Sequence, residues 1–406
     1  MKITQVRTVL LTGPATNDPF TTECRHRRSA AFIEVDTNVG VSGLGETYAG
    51  YFFPELVPET VKFFEPILIG QNVDDIGELW RRMYQCGNFW CRVGWGPAVL
   101  SGIEAALWDL KGKLEKMPVH RLLGKANREK LPSYASGGPS NYPKDRLAQK
   151  IDFYMSLGFK AVKLGTGSYN PQELWEVPNT PDAAAKFESD KLQFVRSRFG
   201  SELEIMLDGH MGNSPGATWT LPIAKAVVRA VEPYNLSFFE EPLHYTDYAG
   251  YAELCRSSNI PIAGGECLTA TCEWKVFADN DAFDIAQPDA SFMSISEFMQ
   301  TAAMFQSRER QIATHCWGAG AALMQNVHCA FACGNTRIIE IPPDYGPLHT
   351  EIFGDSLQIR DGEVYRPDAP GLGIHLSDAT KAAFPFVPGS GEFNSVPGKI
   401  MPEDMR

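Results

Sequence analysis

No stretch of this 406-residue chain holds the run of about 18 uninterrupted apolar residues that a membrane-spanning helix needs. Positive charge is also scarce. The 37 Lys and Arg stand against 49 Asp and Glu, for a net charge of −12. A nucleic-acid-binding chain usually carries a basic footprint, so nucleic acid is not the default partner. A small anionic substrate is still compatible, because one local cluster of Lys, Arg or metal can hold it. The nine cysteines are scattered, with no CxxC pair, and read as reduced thiols of a cytosolic protein. The opening MKITQVRTVLLT has no long apolar core and no small-residue cleavage site, so it does not read as a secretory signal. No low-complexity segment or linker stands out. Together these readings give the expectation of a cytoplasmic protein, with neither nucleic acid nor membrane as a partner.

What is present is enough apolar residue, 44%, for sizeable cores. Residues 1–50 alternate in a strand-like way, in KITQVRTVLL and again in AAFIEVDTNVGVSGLGE, with turn signals at Thr37-Asn38 and Gly43. Gly13 to Arg28 is polar and reads as a long loop. A second loop follows Glu46 and is rich in aromatics. Helical patterns cover about 55–85 and 97–117, where Val99, Ile103, Ala106, Leu107 and Leu110 make one buried face. From about residue 130 short strands alternate with helices. LPSYASG, FKAVKLG, EIMLDG, LSFFEEP, PIAGGE, FDIAQPD, RQIATH and IIEIP are eight strand candidates, enough to close a parallel barrel. The expected division is an α+β domain over residues 1–128, a barrel over 129–365, and a Pro/Gly-rich tail over 366–406 that returns to the first domain.

A ladder of charged residues climbs the barrel half: Lys163, Asp208, Glu240, Glu266, Asp289, His315 and Glu340, in steps of 45, 32, 26, 23, 26 and 25 residues. One strand-plus-helix unit takes roughly 30 residues, and barrel active sites are built at successive strand C-termini. Three carboxylates at one barrel mouth repel each other unless a cation holds them. Asp208, Glu240 and Glu266 are hard oxygen ligands of the kind Mg²⁺ takes. Of the adjacent pair, Glu240 ends the apolar run and is chosen as ligand; Glu241 turns outward or supports it. Asp289 can fix the tautomer of His315 and make it a general base. Glu340 can hydrogen-bond or protonate a substrate carboxylate. Lys163, five strands from His315, can exchange a proton with a bound substrate. His210, two residues after Asp208, points into the same pocket if the strand alternation continues.

These residues resemble the enolase superfamily, within its mandelate racemase-like group. The marks are SGIEAALWDLKGK with the following LLG, then LD, FFEEP, GGE, QPDA and THCWGAG, and they span nearly the whole chain. The resemblance implies a modified (β/α)7β TIM barrel closed by an N-terminal α+β capping domain. It also implies abstraction of a proton α to a carboxylate, with Mg²⁺ stabilising the enediolate, a pairing of base and metal known for this superfamily. The chain departs from the group at Lys163-Leu164-Gly165, where the group usually ends its second strand Lys-x-Lys with the second Lys as base. Loss of that base weakens a racemase reading. Asp208-Gly209-His210 resembles instead the sugar-acid dehydratases, in which the His can be the general acid. The insert TGSYNPQELWEVPNTPD resembles the elaborated second loop of some of them, and Tyr169 can enter the site from it.

The expectation is a Mg²⁺-dependent hydro-lyase converting a sugar acid to a 2-keto-3-deoxy acid. His315 with Asp289 acts as base, and His210 or Lys163 as acid. The alternatives are a racemase, epimerase or cycloisomerase using the same site, and a barrel that binds without catalysis. Substrate contacts are sought in the capping loops, at Arg25, His26, Arg27, Tyr51 and Phe52, and at Trp317 beside His315. A homo-oligomer acting on a small acid sugar is expected.

Overall fold

Three strands, Ile3–Pro14, Arg27–Thr37 and Ser42–Thr47, form an antiparallel meander at the start of the chain in a computed structural model. The structure describes residues 1–20, 27–124, 128–137, 142–169, 175–212 and 219–389. The first two strands run further than the polar composition of 13–28 indicates, because Gly13 pairs with Arg28 and Pro14 with Arg27. Helices Val57–Leu68, Ile76–Gly87 and Trp95–Glu115 follow. Asp75 caps the second by accepting from the Glu78 amide at 2.9 Å. The third buries Val99, Ile103, Ala106, Leu107 and Leu110 completely.

Gly43 marks no turn. It lies in the third strand, where a Cβ would sit 2.0 Å from the Ala106 carbonyl oxygen. Gly45 has the same relation to Gly102, at 2.2 Å. The two glycines let strand and helix approach backbone to backbone. Asp109 on that helix accepts from the amides of Leu44 and Leu372, both at 2.8 Å, and so ties the meander to the tail. Further along the tail, the Thr12 amide donates to Phe384 O and Lys381 reaches Glu34 at 2.8 Å.

The barrel strands are Lys130–Ala135, Ala161–Gly165, Glu204–Asp208, Phe239–Glu240, Ile262–Gly264, Ile285–Ala286, Gln311–Ala313 and Thr336–Ile341. All neighbours are parallel, and the eighth strand pairs with the first, Ile339 opposite Ser133, which closes the ring. Each strand falls on one of the apolar runs of the sequence. A hairpin of Gln358–Arg360 and Glu363–Tyr365, which the sequence pattern did not signal, adds antiparallel to the start of the first strand.

Tyr134, Ala161, Met206, Phe238, Ala263, Ile285, Ala313 and Ile338 form one buried cluster, one residue from each strand except Phe238, which directly precedes its strand. This is the layer that fills the barrel. Side chains alternate along a strand, so the residue two positions later points the same way, one layer nearer the C-terminal mouth.

Candidate active site

Two residues beyond the filling layer lie Lys163, Asp208, Glu240, Gln287, His315 and Glu340, all buried. Strand geometry thus brings five of the seven ladder residues into one ring. The other two need an interruption. Gly265 has φ +108, in the left-handed region, and a Cβ there would meet Trp274 at 2.1 Å. This turn carries Glu266 off the alternation. Asp289 follows Pro288, beyond the end of its strand.

On one side of the mouth three carboxylates surround one ammonium. Lys163 Nζ lies 3.0 Å from Asp208 Oδ2, 2.8 Å from Glu240 Oε2 and 3.0 Å from Glu340 Oε1. The contact to Asp208 is an ion pair without hydrogen-bond geometry, and Glu240 Oε1 is buried with no hydrogen-bond partner among the described residues. Glu340 Oε2 is held by the Cys316 amide at 2.7 Å. Burial, and then the neighbouring Asp208, push the Glu240 carboxyl well above the usual range. Burial would lower the Lys163 pKa, but Asp208, Glu240 and Glu340 outweigh it and raise it well above the usual lysine value.

On the other side, both oxygens of Asp289 are hydrogen-bonded. His315 Nδ1 lies 2.8 Å from Asp289 Oδ2. Asp289 Oδ1 accepts from the Ser291 amide at 2.7 Å, the Ser291 hydroxyl at 2.6 Å and Asn326 Nδ2 at 2.8 Å. An acceptor on Nδ1 places a proton there and leaves Nε2 for chemistry. Nε2 lies 3.6 Å from Glu266 Oε2. Burial opposes protonation of the imidazole, but Glu266 and then Asp289 outweigh it and push the pKa up to about 10. Glu266 is thus the largest of the charges that favour the protonated imidazole.

His210 is in a turn rather than a continuing strand, with φ 50 and its side chain 57% exposed. The alternation argument does not reach it, since the strand ends at Asp208. Its amide donates to Asp208 Oδ1 at 3.0 Å and its Nδ1 lies 3.4 Å from the same oxygen, so it still borders the site. Glu241 does not turn outward: it is buried, and the Tyr245 hydroxyl donates to it, as does the Gly212 amide at 3.3 Å. Tyr169 pairs with Trp175 in a two-residue ribbon. Arg25 and His26 lie outside the described residues.

Tyr51 and Trp317 are brought together, with Trp317 Nε1 donating to Tyr51 Oη at 2.8 Å and the buried Arg28 guanidinium within 5.1 and 4.7 Å of their rings. The capping aromatic beside the imidazole is Tyr48, whose ring stands 5.8 Å from His315 and stacks on Tyr51 at 5.0 Å. Sequence reasoning missed Tyr48, Ser291, Asn326 and Gln287. The signal for Asn326 was a polar residue inside the wholly buried helix Gly320–Ala332. For Gln287, whose amide nitrogen and oxygen both lack partners among the described residues, it was the two-residue offset from Ile285.

The donor set fits a hard divalent cation in type and charge. Three carboxylates share one ammonium, an excess of two negative charges when all three are ionised, and the buried oxygen Glu240 Oε1 lacks a partner among the described residues. Among the described residues, no group of three or more His, Cys, Asp or Glu is arranged to hold a metal ion. Glu266 Oε2 lies 3.6 Å from His315 Nε2.

Residues 146–380 match the enolase C-terminal domain-like family, and residues 5–124 match the mandelate racemase / muconate lactonizing enzyme N-terminal domain. The chain belongs to the enolase superfamily, in its mandelate racemase and muconate lactonizing enzyme group. An arabinonate dehydratase from Saccharolobus solfataricus is 30% identical over 358 residues, covering 87% of this chain and 90% of the relative. A D-galactonate dehydratase from Ralstonia pickettii is also 30% identical over 358 residues, covering 86% and 89%. Among solved structures, L-talarate dehydratase from a Polaromonas species, complexed with Mg and L-glucarate, superposes with a TM-score of 0.78 at 27% identity, covering 94% of this chain and 97% of that one. The 3,6-anhydro-D-galactonate cycloisomerase from Zobellia galactanivorans superposes at 0.79 and 26%, covering 95% and 99%. No helix among the described residues is long and apolar enough to cross a membrane.

Proposed function

We propose that this enzyme dehydrates a sugar acid, an aldonate or an aldarate. The observation that carries the proposal is the buried His315–Asp289 pair facing a carboxylate cluster with an excess of negative charge. Asp289 holds Nδ1–H, so Nε2 of a neutral His315 can take the proton α to the substrate carboxylate. Asp208, Glu240 and Glu266 would hold Mg²⁺. The bound cation would supply charge stabilisation as the substrate carboxylate gains its second negative charge. Engaging Glu266 there would also release His315 from the interaction that keeps it protonated.

The β-hydroxyl leaves as water once protonated, the α–β double bond forms, and the enol tautomerises to a 2-keto-3-deoxy acid. His210 is better placed for that protonation than Lys163. Its side chain is exposed beside Asp208, whereas Lys163 is buried and keeps Glu340 as a partner. The dehydratase relatives support this reading, and so does the absence of a side chain at Gly165, which removes one of the two opposed bases a racemase needs.

A second reading, cycloisomerisation, is favoured by the likeness to the anhydrogalactonate enzyme and keeps the same base. A panel of aldonic and aldaric acids incubated with enzyme and Mg²⁺ separates the two. A 2-keto acid from one or more members is expected. Solvent deuterium at the α-carbon with no keto acid from any member would move the assignment to the second reading, and inertness towards the whole panel would contradict both.

A further inference from the structure

We propose that Lys163 is a built-in competitor for the metal. Its ammonium takes the same carboxylates that a divalent cation would take, so cation binding requires it to release Asp208 and Glu240 and to retreat onto Glu340. The inference rests on Asp208 and Glu240 being ligands, as proposed above.

The geometry assigns two jobs to one side chain. Lys163 Nζ sits at 3.0 Å from Asp208 and 2.8 Å from Glu240, at the point where the two carboxylates converge. Without a cation there, two buried acids facing each other would repel across a low-dielectric interior. The ammonium therefore holds the mouth together before the metal arrives. It cannot stay in place afterwards, because two cations would share the same oxygens at contact distance.

Lysine suits this exchange, being a compact charge on a flexible four-carbon stem. A place of retreat also exists. Glu340 binds the ammonium at 3.0 Å through Oε1, and its other oxygen is fixed by the Cys316 amide at 2.7 Å, so Glu340 keeps its position while Lys163 swings. The Tyr134 ring, 5.7 Å from Nζ, offers a second favourable surface for the charge. The consequence is a metal held less tightly than its carboxylates alone would hold it.

Mg²⁺ binding to wild type, K163M and K163Q is measured by titration calorimetry, with thermal unfolding of each protein with and without Mg²⁺. Both variants are expected to be less stable than wild type without metal and to bind Mg²⁺ at least about tenfold more tightly, since no ammonium has to be displaced from Asp208 and Glu240 first. A merely structural lysine would lower stability and affinity together. Should K163M not fold without metal, K163Q is one atom shorter than lysine but keeps a donor to the carboxylates. For K163M itself, the Mg²⁺ concentration that restores the native circular dichroism then reports its affinity. Variants that bind Mg²⁺ no better than wild type overturn the inference alone. A wild type that binds no Mg²⁺ overturns both the inference and the ligand assignment.

Discussion

The two sides of the barrel mouth are finished to different degrees. On the His315 side one Asp289 oxygen meets the imidazole and the other takes three donors, so base and orienting acid are held by the protein's own hydrogen bonds. On the Lys163 side three buried carboxylates share a single ammonium, and Glu240 keeps an unpartnered oxygen. The contrast teaches where preorganisation is built in and where charge must come from outside. A proton-transfer group needs a fixed orientation, which neutral donors provide cheaply in a buried site. Stabilising a doubly charged carboxylate needs positive charge, which the packed side chains of this mouth do not supply in sufficient amount.

Removing the base breaks the comparison most severely. His315→Asn should lower kcat by about 10³-fold or more on whichever acid sugar proves to be the substrate, with unaltered circular dichroism. Retained turnover would mean that another group is the base. A smaller effect is expected one contact further out. Asn326→Ala deletes one of the three donors to Asp289 Oδ1, and should cost about 1–3 kcal/mol of stability in chemical unfolding and a roughly tenfold loss of kcat. Unchanged kcat in a folded Asn326→Ala would show that the dyad is oriented without its outer partners.

The mildest test uses pH. Burial lowers His328 and His349 to about 3, in His349 with the nearby Arg28 adding to it. Their folded-state pKa values lie below the ordinary histidine value of about 6.5, so the unfolded chain binds more protons in between. The contribution of these two histidines to stability should therefore fall as pH drops below about 6.5, by up to about 1.4 kcal/mol per pH unit for each. Buried Glu46, Glu104 and Glu297, raised to about 7, act in the opposite direction, so the imidazoles are read one by one rather than from total stability. Titration followed by NMR should find both still neutral at about pH 5. An imidazole that protonates near its ordinary value would lie in more hydrated surroundings than the fold shows.

The positions of the eight barrel strands were legible because each falls on a short apolar run. Once Ala161, Met206, Phe238, Ala313 and Ile338 are known to fill the barrel, Lys163, Asp208, Glu240, His315 and Glu340 follow by counting two. What the sequence concealed depends on breaks in that count or on contacts far along the chain. Glu266 turns at Gly265 and meets His315. His210 leaves the strand through a left-handed turn. Ser291 and Asn326 reach Asp289 from a loop and a helix whose approach no local pattern encodes. That the capping domain closes the barrel was implied by the family resemblance, but the contacts that join them were not legible. Glu46, which ends an alternating strand run, accepts from the amides of Ala319 at 2.6 Å and Ala322 at 2.9 Å, across more than half the chain.

The most direct test of the asymmetry is Mg²⁺ titration calorimetry of wild type beside Glu240→Gln, a change that keeps the shape and removes one of the proposed ligand charges. Wild type should bind one Mg²⁺ per chain, and Glu240→Gln should bind it about 100-fold more weakly while folding normally. Equal binding by the two proteins, or none by wild type, would contradict the claim that the carboxylate side is completed by a divalent cation.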